Sequence, residues 1–294
     1  MSKSSKKEIV GDVVGVFPTN KSPLRYPGGK TRACKVLDKI LIENFNMENM
    51  TSLISPFFGG GSFEFYIQNK YKIRIIGNDK FIPLASFWSC CKNQKDELCD
   101  MLYKVGANTT QEGITKEQFM NYRRIIMSET NILMQAYYYF IINRCSFSGA
   151  TLSGGFSQQS AIGRFTKSSI DRIKNLDLSA TEIHNKDFED FINTVVPDHA
   201  VGESNNYIIF ADPPYYLEKK SKLYGNNGDM HDEFDHKKLF SVLSKRKGWL
   251  LTYNDCDYVR NLYKDYKIIE VDWTYGMNKS KKSSEIVIIG LCLK

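Results

Sequence analysis

Apolar residues fall at helical spacing in "TRACKVLDKILIENF", where Val36, Leu37, Ile40 and Leu41 share one face. The pattern then shortens. "TSLIS" is a brief apolar run that reads as a strand, "PFFGGGS" follows at once, and "FEFYIQNK" returns to a helical pattern. "YKIRIIGND" reads as a second strand, closed by the acidic Asp79. A strand, a glycine loop, a helix and a strand in that order predict a right-handed crossover within a parallel sheet.

Residues 83–143 are mostly helical in pattern and end in "NILMQAYYYFIINR". The aromatic run from Tyr137 to Phe140 reads as a packed core helix rather than a base-stacking platform. Residues 145–165 are rich in Ser and Gly and nearly free of carboxylates, which suits either a long loop or a hairpin touching a ligand. Strand patterns resume at "TEIHNKDF" and at the strongly apolar "YIIFADPPYY". "GWLLTYND" follows an amphipathic helix carrying Leu239, Val242 and Leu243. "YKIIEVDW" and "SSEIVIIGLCLK", joined by a basic turn, predict a closing antiparallel hairpin. α/β units therefore flank a central insertion.

Composition adds limits. A chain of 294 residues can bury a full core, and 42% hydrophobic with 25% charged residues is ordinary for a globular protein. Lys and Arg exceed Asp and Glu by 40 to 33. That excess suits a polyanionic partner, and equally an enzyme that is simply basic. The seven cysteines include no C-x-x-C pair, and the chain opens on "MSKSSKKE" rather than an apolar leader. A reducing, intracellular setting is expected. No apolar run approaches the roughly 18 residues of a spanning helix, so no membrane association is expected. His184, His199, His231 and His236 lack ligand spacing, so no metal is expected.

Three stretches carry candidate chemistry. "SPLRYPGGKTR" at residues 22–32 has the composition of a phosphate loop, but the P-loop pattern needs a glycine where Leu24 stands, and no strand precedes it. "SPFFGGGSF" lets backbone approach a ligand closely. Glu64 occupies the place of the last glycine of a dinucleotide fingerprint, which disfavours NAD. Asp79, at the end of the next strand, is placed to accept bonds from ribose hydroxyls. The most informative stretch is "DPPY", Asp212 to Tyr215, directly after a buried strand where open α/β sheets place their ligands. Two prolines fix two φ angles and remove two N–H donors. What remains is a row of acceptors, the Asp212 carboxylate and neighbouring carbonyls, with an aromatic ring beside it. Such a row suits a planar group bearing an NH2, and would favour the more nucleophilic nitrogen and stabilise the charge that develops on it.

"RYPGGK", "SPFFGGGSFEF", the strand-ending Asp79, "NRCSFSG", "NKDF" and "FADPPYY" occur in one order over about residues 20–294. In that order they resemble the Dam-like (D12 class, α-group) DNA adenine-N6 methyltransferases. The resemblance implies an α/β fold: a Rossmann-like class I methyltransferase sheet with an antiparallel C-terminal hairpin, plus an inserted, mainly helical target-recognition domain. Residues 1–80 and 166–294 would form the catalytic domain, and 81–165 the insertion, with a hairpin near 145–165. The implied activity is transfer of a methyl group from S-adenosylmethionine to a flipped adenine in double-stranded DNA. Asp212, Pro213, Pro214 and Tyr215 would hold the target base. Tyr26, Gly29, Lys30, Phe57, Gly59, Gly60, Gly61, Asp79, Asp187, Phe188 and Asp212 would line the cofactor, Asp187 meeting its adenine amine and Phe188 packing on the ring. Lys21, Arg144 on phosphate, Phe147 as a wedge, Ser148, Lys279, Lys281 and Lys282 would meet DNA. Ser148 and Leu152 stand where the GATC-specific pattern has an asparagine and a guanine-reading arginine, so GATC is not the expected site. A restriction endonuclease partner is compatible with this reading, and the sequence leaves the oligomeric state open.

The acceptor pocket alone does not separate adenine in RNA or cytosine N4 from DNA adenine, and a catalytically silent DNA-binding module on the same fold is the remaining alternative. If the basic turn meets phosphate, replacing Lys279, Lys281 and Lys282 together flattens the salt dependence of DNA binding. An unchanged slope returns the turn to an ordinary solvated loop.

Overall fold

The computed structural model describes residues 19–106, 113–196, 206–216, 234–274 and 282–291. A single turn at Lys30–Arg32 leads into α1 (Cys34–Asn44), and β1 (Ser52–Ser55), α2 (Ser62–Tyr71) and β2 (Arg74–Asn78) form the expected crossover. Four helices follow: α3 (Ile82–Asn93), α4 (Lys95–Gly106), α5 (Lys116–Ile125) and α6 (Ile132–Cys145). Two of them start on side-chain caps. Thr115 and Gln118 close a capping box on α5, and Asn131 accepts from Met134 N on α6. After α7 (Gln158–Gly163) and α8 (Lys167–Lys174) come β3 (Thr181–His184), α9 (Phe188–Val195) and β4 (Tyr207–Ala211). The chain continues through α10 (His236–Ser244), β5 (Trp249–Asn254), α11 (Asp257–Leu262), β6 (Lys267–Thr274) and β7 (Lys282–Gly290).

The seven strands lie in the order β3-β2-β1-β4-β5-β7-β6. β1 pairs in parallel with both β2 and β4, and β7 runs antiparallel between β5 and β6. The closing hairpin is therefore present, and it is threaded so that its second strand, not its first, joins β5. This is a Rossmann-like sheet. Its central strands are buried on both faces and so read as unbroken apolar runs. Along β4, Tyr207, Ile209 and Ala211 pack with α9 and α10, while Ile208 and Phe210 pack with α1 and α2. Strand order reverses between β1 and β4, from β1-β2-β3 on one side to β4-β5 on the other, and the crevice beyond their carboxyl ends is the switch point at which such sheets bind ligands.

Helices α3, α4, α6 and α8 form a layer whose core runs without a break into the sheet. Phe58, Phe65 and Ile75 belong to one cluster with Leu84, Trp88, Leu98, Tyr139 and Ile170. The segment 81–165 thus shares its core with the sheet. Tyr137, Tyr138, Tyr139 and Phe140 are buried in that cluster, so the aromatic run is core. Residues 145–157 do not form a two-stranded ladder. One antiparallel bridge joins Ser146 to Phe156, and two short turns, Phe147–Gly149 and Thr151–Ser153, fill the space between. Gly149 has φ +75°, and a Cβ there would stand 2.6 Å from the Arg25 backbone oxygen, so this position requires glycine.

Asn143 fastens this loop to the N-terminal segment. Its Oδ1 accepts from Arg25 N at 3.0 Å, and its Nδ2 reaches Arg25 O at 2.6 Å. Both groups are satisfied away from water, and removal of the amide strands them. Asn143→Ala is expected to lower stability by roughly 1–3 kcal/mol, read as a lower urea midpoint at unchanged m-value.

Candidate active site

The glycine loop leaves β1 at Ser55 and turns at Gly59 and Gly61, both at positive φ. Gly59 lies under the Tyr26 ring so closely that a Cβ would approach Cε1 to 2.9 Å, and one on Gly60 would approach the Tyr26 Cβ to 2.8 Å. Tyr26 therefore seals the loop from above. Trp88 holds it from the helical layer, donating from Nε1 to Gly59 O at 2.9 Å. Asp79, at the end of β2, accepts from Gly59 N and from Phe81 N, each at 3.0 Å. Burial pushes the Asp79 carboxyl up to about 6, against the pull of those two amides.

The end of β3 supplies a second carboxylate. Asp187 caps α9, accepting from Glu189 N at 3.1 Å. Lys80 lies 3.0 Å and Lys238 3.6 Å from its oxygens. Burial pushes the Asp187 carboxyl up, but the Lys80 bond, the capping amide and the two cations together hold it below the usual carboxylate range. Phe188 packs on Phe57 with ring centroids 5.6 Å apart, and Phe234 meets both rings at 5.6 and 5.5 Å. The expected Phe57 and Phe188 thus stand together beside Asp187. Phe234, Lys80 and Lys238 join them without a sequence signal beyond their residue type.

Asp212 stands immediately beyond β4. Its Oδ1 lies 2.7 Å from Lys30 Nζ and accepts from the Thr252 hydroxyl of β5 at 2.6 Å. Among the described residues no hydrogen bond reaches Oδ2. Lys30 is 4% exposed, donates to Gly28 O at 3.1 Å, and sits 5.1 Å from the centroid of the Tyr215 ring. The Tyr215 hydroxyl in turn donates to Glu285 of β7 at 2.5 Å. Lys30, Gly29, Tyr26, the glycine loop, Asp212, Pro213, Pro214 and Tyr215 are therefore adjoining parts of one site. Thr252 and Glu285 were not legible as site residues, because only sheet order brings β5 and β7 beside β4.

Glu64 is a further residue whose place was not foreseen. It lies in the first turn of α2, 3% exposed, and accepts from the Ser55 hydroxyl at 2.7 Å. Burial pushes its carboxyl up to about 7.

The residues expected on DNA divide. Phe147 is 70% exposed at the loop tip, Ser148 beside it is exposed, and Lys21 is exposed at the start of the segment that leads to Tyr26. Arg144 requires a correction. It is buried, its Nε donates to Arg164 O at 2.7 Å and its Nη1 to Pro23 O at 3.2 Å, so it braces the loop instead of facing phosphate. Burial lowers its affinity for a proton, to about 10. Leu152 is buried in the core. Lys279 and Lys281 lie outside the described residues, as does the Lys282 side chain. Among the described residues no cluster of three or more His, Cys, Asp or Glu has metal-binding geometry, and no helix is long and apolar enough to cross a membrane.

Known proteins resemble the chain over most of its length. The family described as D12 class N6 adenine-specific DNA methyltransferase matches residues 26–277. A Type II methyltransferase, M.MjaIII of Methanocaldococcus jannaschii, is 26% identical, over 84% of this chain and 89% of its own. M.CviBI, a Type II methyltransferase of Paramecium bursaria Chlorella virus NC1A, is 23% identical, over 92% of this chain and 98% of its own.

The two raised carboxyls set a pH dependence of stability. Between the unfolded values near pH 4 and the folded values of about 6 for Asp79 and about 7 for Glu64, the folded protein holds protons that the unfolded chain has released. Their contribution is full below the unfolded values and is lost as pH rises through the folded ones. Asp187, held low, acts in the opposite sense only at more acidic pH. The urea midpoint of the ligand-free protein is expected to fall from pH 5 to pH 8, and Glu64→Gln, which mimics the neutral acid, is expected to flatten the upper part of that fall.

Proposed function

The chain belongs to the D12 class N6 adenine-specific DNA methyltransferase family, and on that premise we propose that it transfers a methyl group from S-adenosylmethionine to the exocyclic amine of an adenine flipped out of double-stranded DNA. The observation that carries the proposal is Asp212: among the described residues, both side-chain contacts to its carboxylate fall on Oδ1, beside the Tyr215 ring. Oδ2 and the Pro213 carbonyl are then acceptors for the two hydrogens of a planar amine. An amine conjugated with its ring is a poor nucleophile. Two fixed acceptors favour the more tetrahedral nitrogen and stabilise the positive charge that grows on it. Pro213 and Pro214 keep these acceptors rigid, so little reorganisation accompanies the reaction. Lys30 and Thr252 fix the carboxylate, and Glu285 fixes the ring on which the base would stack, a contact worth about 1–3 kcal/mol.

The residues present fit the cofactor. Asp79 and Asp187 offer carboxylate oxygens at two neighbouring strand ends, suited to ribose hydroxyls and an adenine amine. Phe57 and Phe188, with Phe234, offer apolar ring surface between them. The backbone of Gly59, Gly60 and Gly61, walled by Tyr26, admits close approach without side chains, with Gly29 and Lys30 at the far end. When bound, the cofactor supplies an electrophilic sulfonium methyl. The chain supplies alignment of the amine and exclusion of water.

A base in a duplex is out of reach of Asp212, so flipping is part of the proposal, at a cost of a few kcal/mol. The exposed Phe147 is the side chain suited to fill the vacated stack, with Ser148 beside it and Lys21 on phosphate. Neither Ser148 nor the buried Leu152 offers the two-pronged donor that reads guanine, so the target is not expected to be GATC. The segment 81–165 is the natural recognition region, and residues flanking it the catalytic region. Both relatives are Type II methyltransferases, which supports a modification role beside a restriction endonuclease inside the cell.

Asp212→Ala is expected to abolish transfer of labelled methyl to DNA while leaving most binding of S-adenosylmethionine, read by calorimetry. Near-normal transfer by this variant sinks the assignment. Nucleoside analysis of the product should give N6-methyladenine, and N4-methylcytosine or a requirement for RNA would replace the substrate named above.

A further inference from the structure

A further carboxyl, that of Glu64, lies within the stretch "SPFFGGGSFEF" but has no part in the cofactor lining or in the acceptor role of Asp212 described above. Glu64 points from the first turn of α2 into the protein, where Ser55, the last residue of β1, donates to its Oε1 at 2.7 Å. Ser55 ends β1 directly beside β4, which leads into Asp212. Cys34 Sγ lies 3.2 Å from Lys30 O and 3.8 Å from Ser62 O at the start of α2. The turn carrying Lys30 and the acceptor row thus both border Glu64, whose carboxyl feels the charges of both Asp212 and Lys30. Two carboxylates therefore act on one buried ammonium. The acidic groups lie at the end of β4 and on α2, and the cation in the turn before α1. Cys34 of α1 also feels Glu64, but its thiol, pushed up to about 12 chiefly by burial, stays protonated throughout the neutral range.

We propose that Glu64 is a positioning residue for methyl transfer: when ionised it draws on Lys30 and adds its field to that of Asp212, and when protonated it leaves Lys30 committed to Asp212. With Glu64 neutral, the Asp212 charge is largely cancelled by the ammonium at 2.7 Å. With Glu64 ionised, Asp212, Glu64 and Lys30 together sum to one negative charge, which strengthens Asp212 as an acceptor and stabilises the cation growing on the substrate nitrogen. Ionisation releases the Glu64 proton to solvent, and the group takes no part in bond making. Ser55 tunes the device, because its hydroxyl bonds to the charged form and lowers the pH at which Glu64 ionises.

The inference rests on Asp212 holding the substrate amine, and its test separates the two. Rates of methyl transfer are measured across neutral pH with DNA and S-adenosylmethionine both well below saturation, where titrations of the free protein govern. The wild type is expected to rise through about pH 7, matching the raised Glu64 carboxyl. Glu64→Gln is expected to lose this rise and stay at the low-pH rate. Ser55→Ala, which keeps the carboxyl but removes its donor, is expected to move the rise to higher pH. A wild type without the rise, a Glu64→Gln variant that retains it, or a Ser55→Ala variant that leaves it in place each overturns the inference. In those cases an inactive Asp212→Ala keeps the amine-holding role of Asp212 intact. An active Asp212→Ala defeats that role itself.

Discussion

The site depends on one buried ammonium. Lys30 is almost fully enclosed, and a cation removed from water needs a carboxylate and hydrogen-bond acceptors close by. Asp212 Oδ1, the Gly28 carbonyl and the Tyr215 ring meet that need from two parts of the chain more than 180 residues apart in sequence. This one contact ties the segment before α1 to the end of β4. Tyr26, four residues earlier, is thereby laid over Gly59 and Gly60, and the glycine loop is closed from outside while Trp88 closes it from within. Losing Asp212 would remove the carboxylate from a buried ammonium at a cost in stability, while the Gly28 carbonyl and the Tyr215 ring still hold Lys30 in place.

The N-terminal segment has a second anchorage. Asn20 bonds to Gln68 and to the carbonyl of Asp177, and Arg25 bonds through Asn143 to the loop that carries Phe147. A single extended stretch therefore touches α2, the region before β3, the exposed loop and the acceptor row in turn. Arg144 belongs to this bracing. A basic residue at the foot of a loop expected on DNA suggests phosphate, yet Arg144 is buried and donates to the Pro23 and Arg164 carbonyls. Burial, not residue type, decides what a guanidinium does.

The ends of β2, β3 and β4 carry carboxylates in three different electrostatic settings. Asp79 is buried and accepts from two backbone amides, with no cation on it among the described residues, and holds its proton to higher pH. Asp187 is flanked by Lys80 and Lys238 and is held low. Asp212 shares Lys30 with the electrostatic reach of Glu64. Similar side chains at successive strand ends of one sheet thus differ because the neighbouring loops deliver cations to some and not to others.

Much of this was written in local pattern. The unbroken apolar run before "DPPY", the glycine loop between a strand and a helix, and the strand-ending Asp79 each follow from short-range rules, because strand burial and turn chemistry are properties of consecutive residues. The aromatic run of α6 was legible as core for the same reason. Tertiary structure alone decided the rest. Lys30 became the partner of Asp212, Thr252 and Glu285 became neighbours of the acceptor row, and Ser55 and Glu64 formed a buried pair under it. Tertiary structure also turned Arg144 inward and made the Ser- and Gly-rich stretch a loop closed by one bridge instead of a ladder. These are contacts between distant segments, set by strand order and by which side chains are shut away from water. No local pattern encodes them, because the cost of an unpaired buried charge appears only once the chain has folded around it.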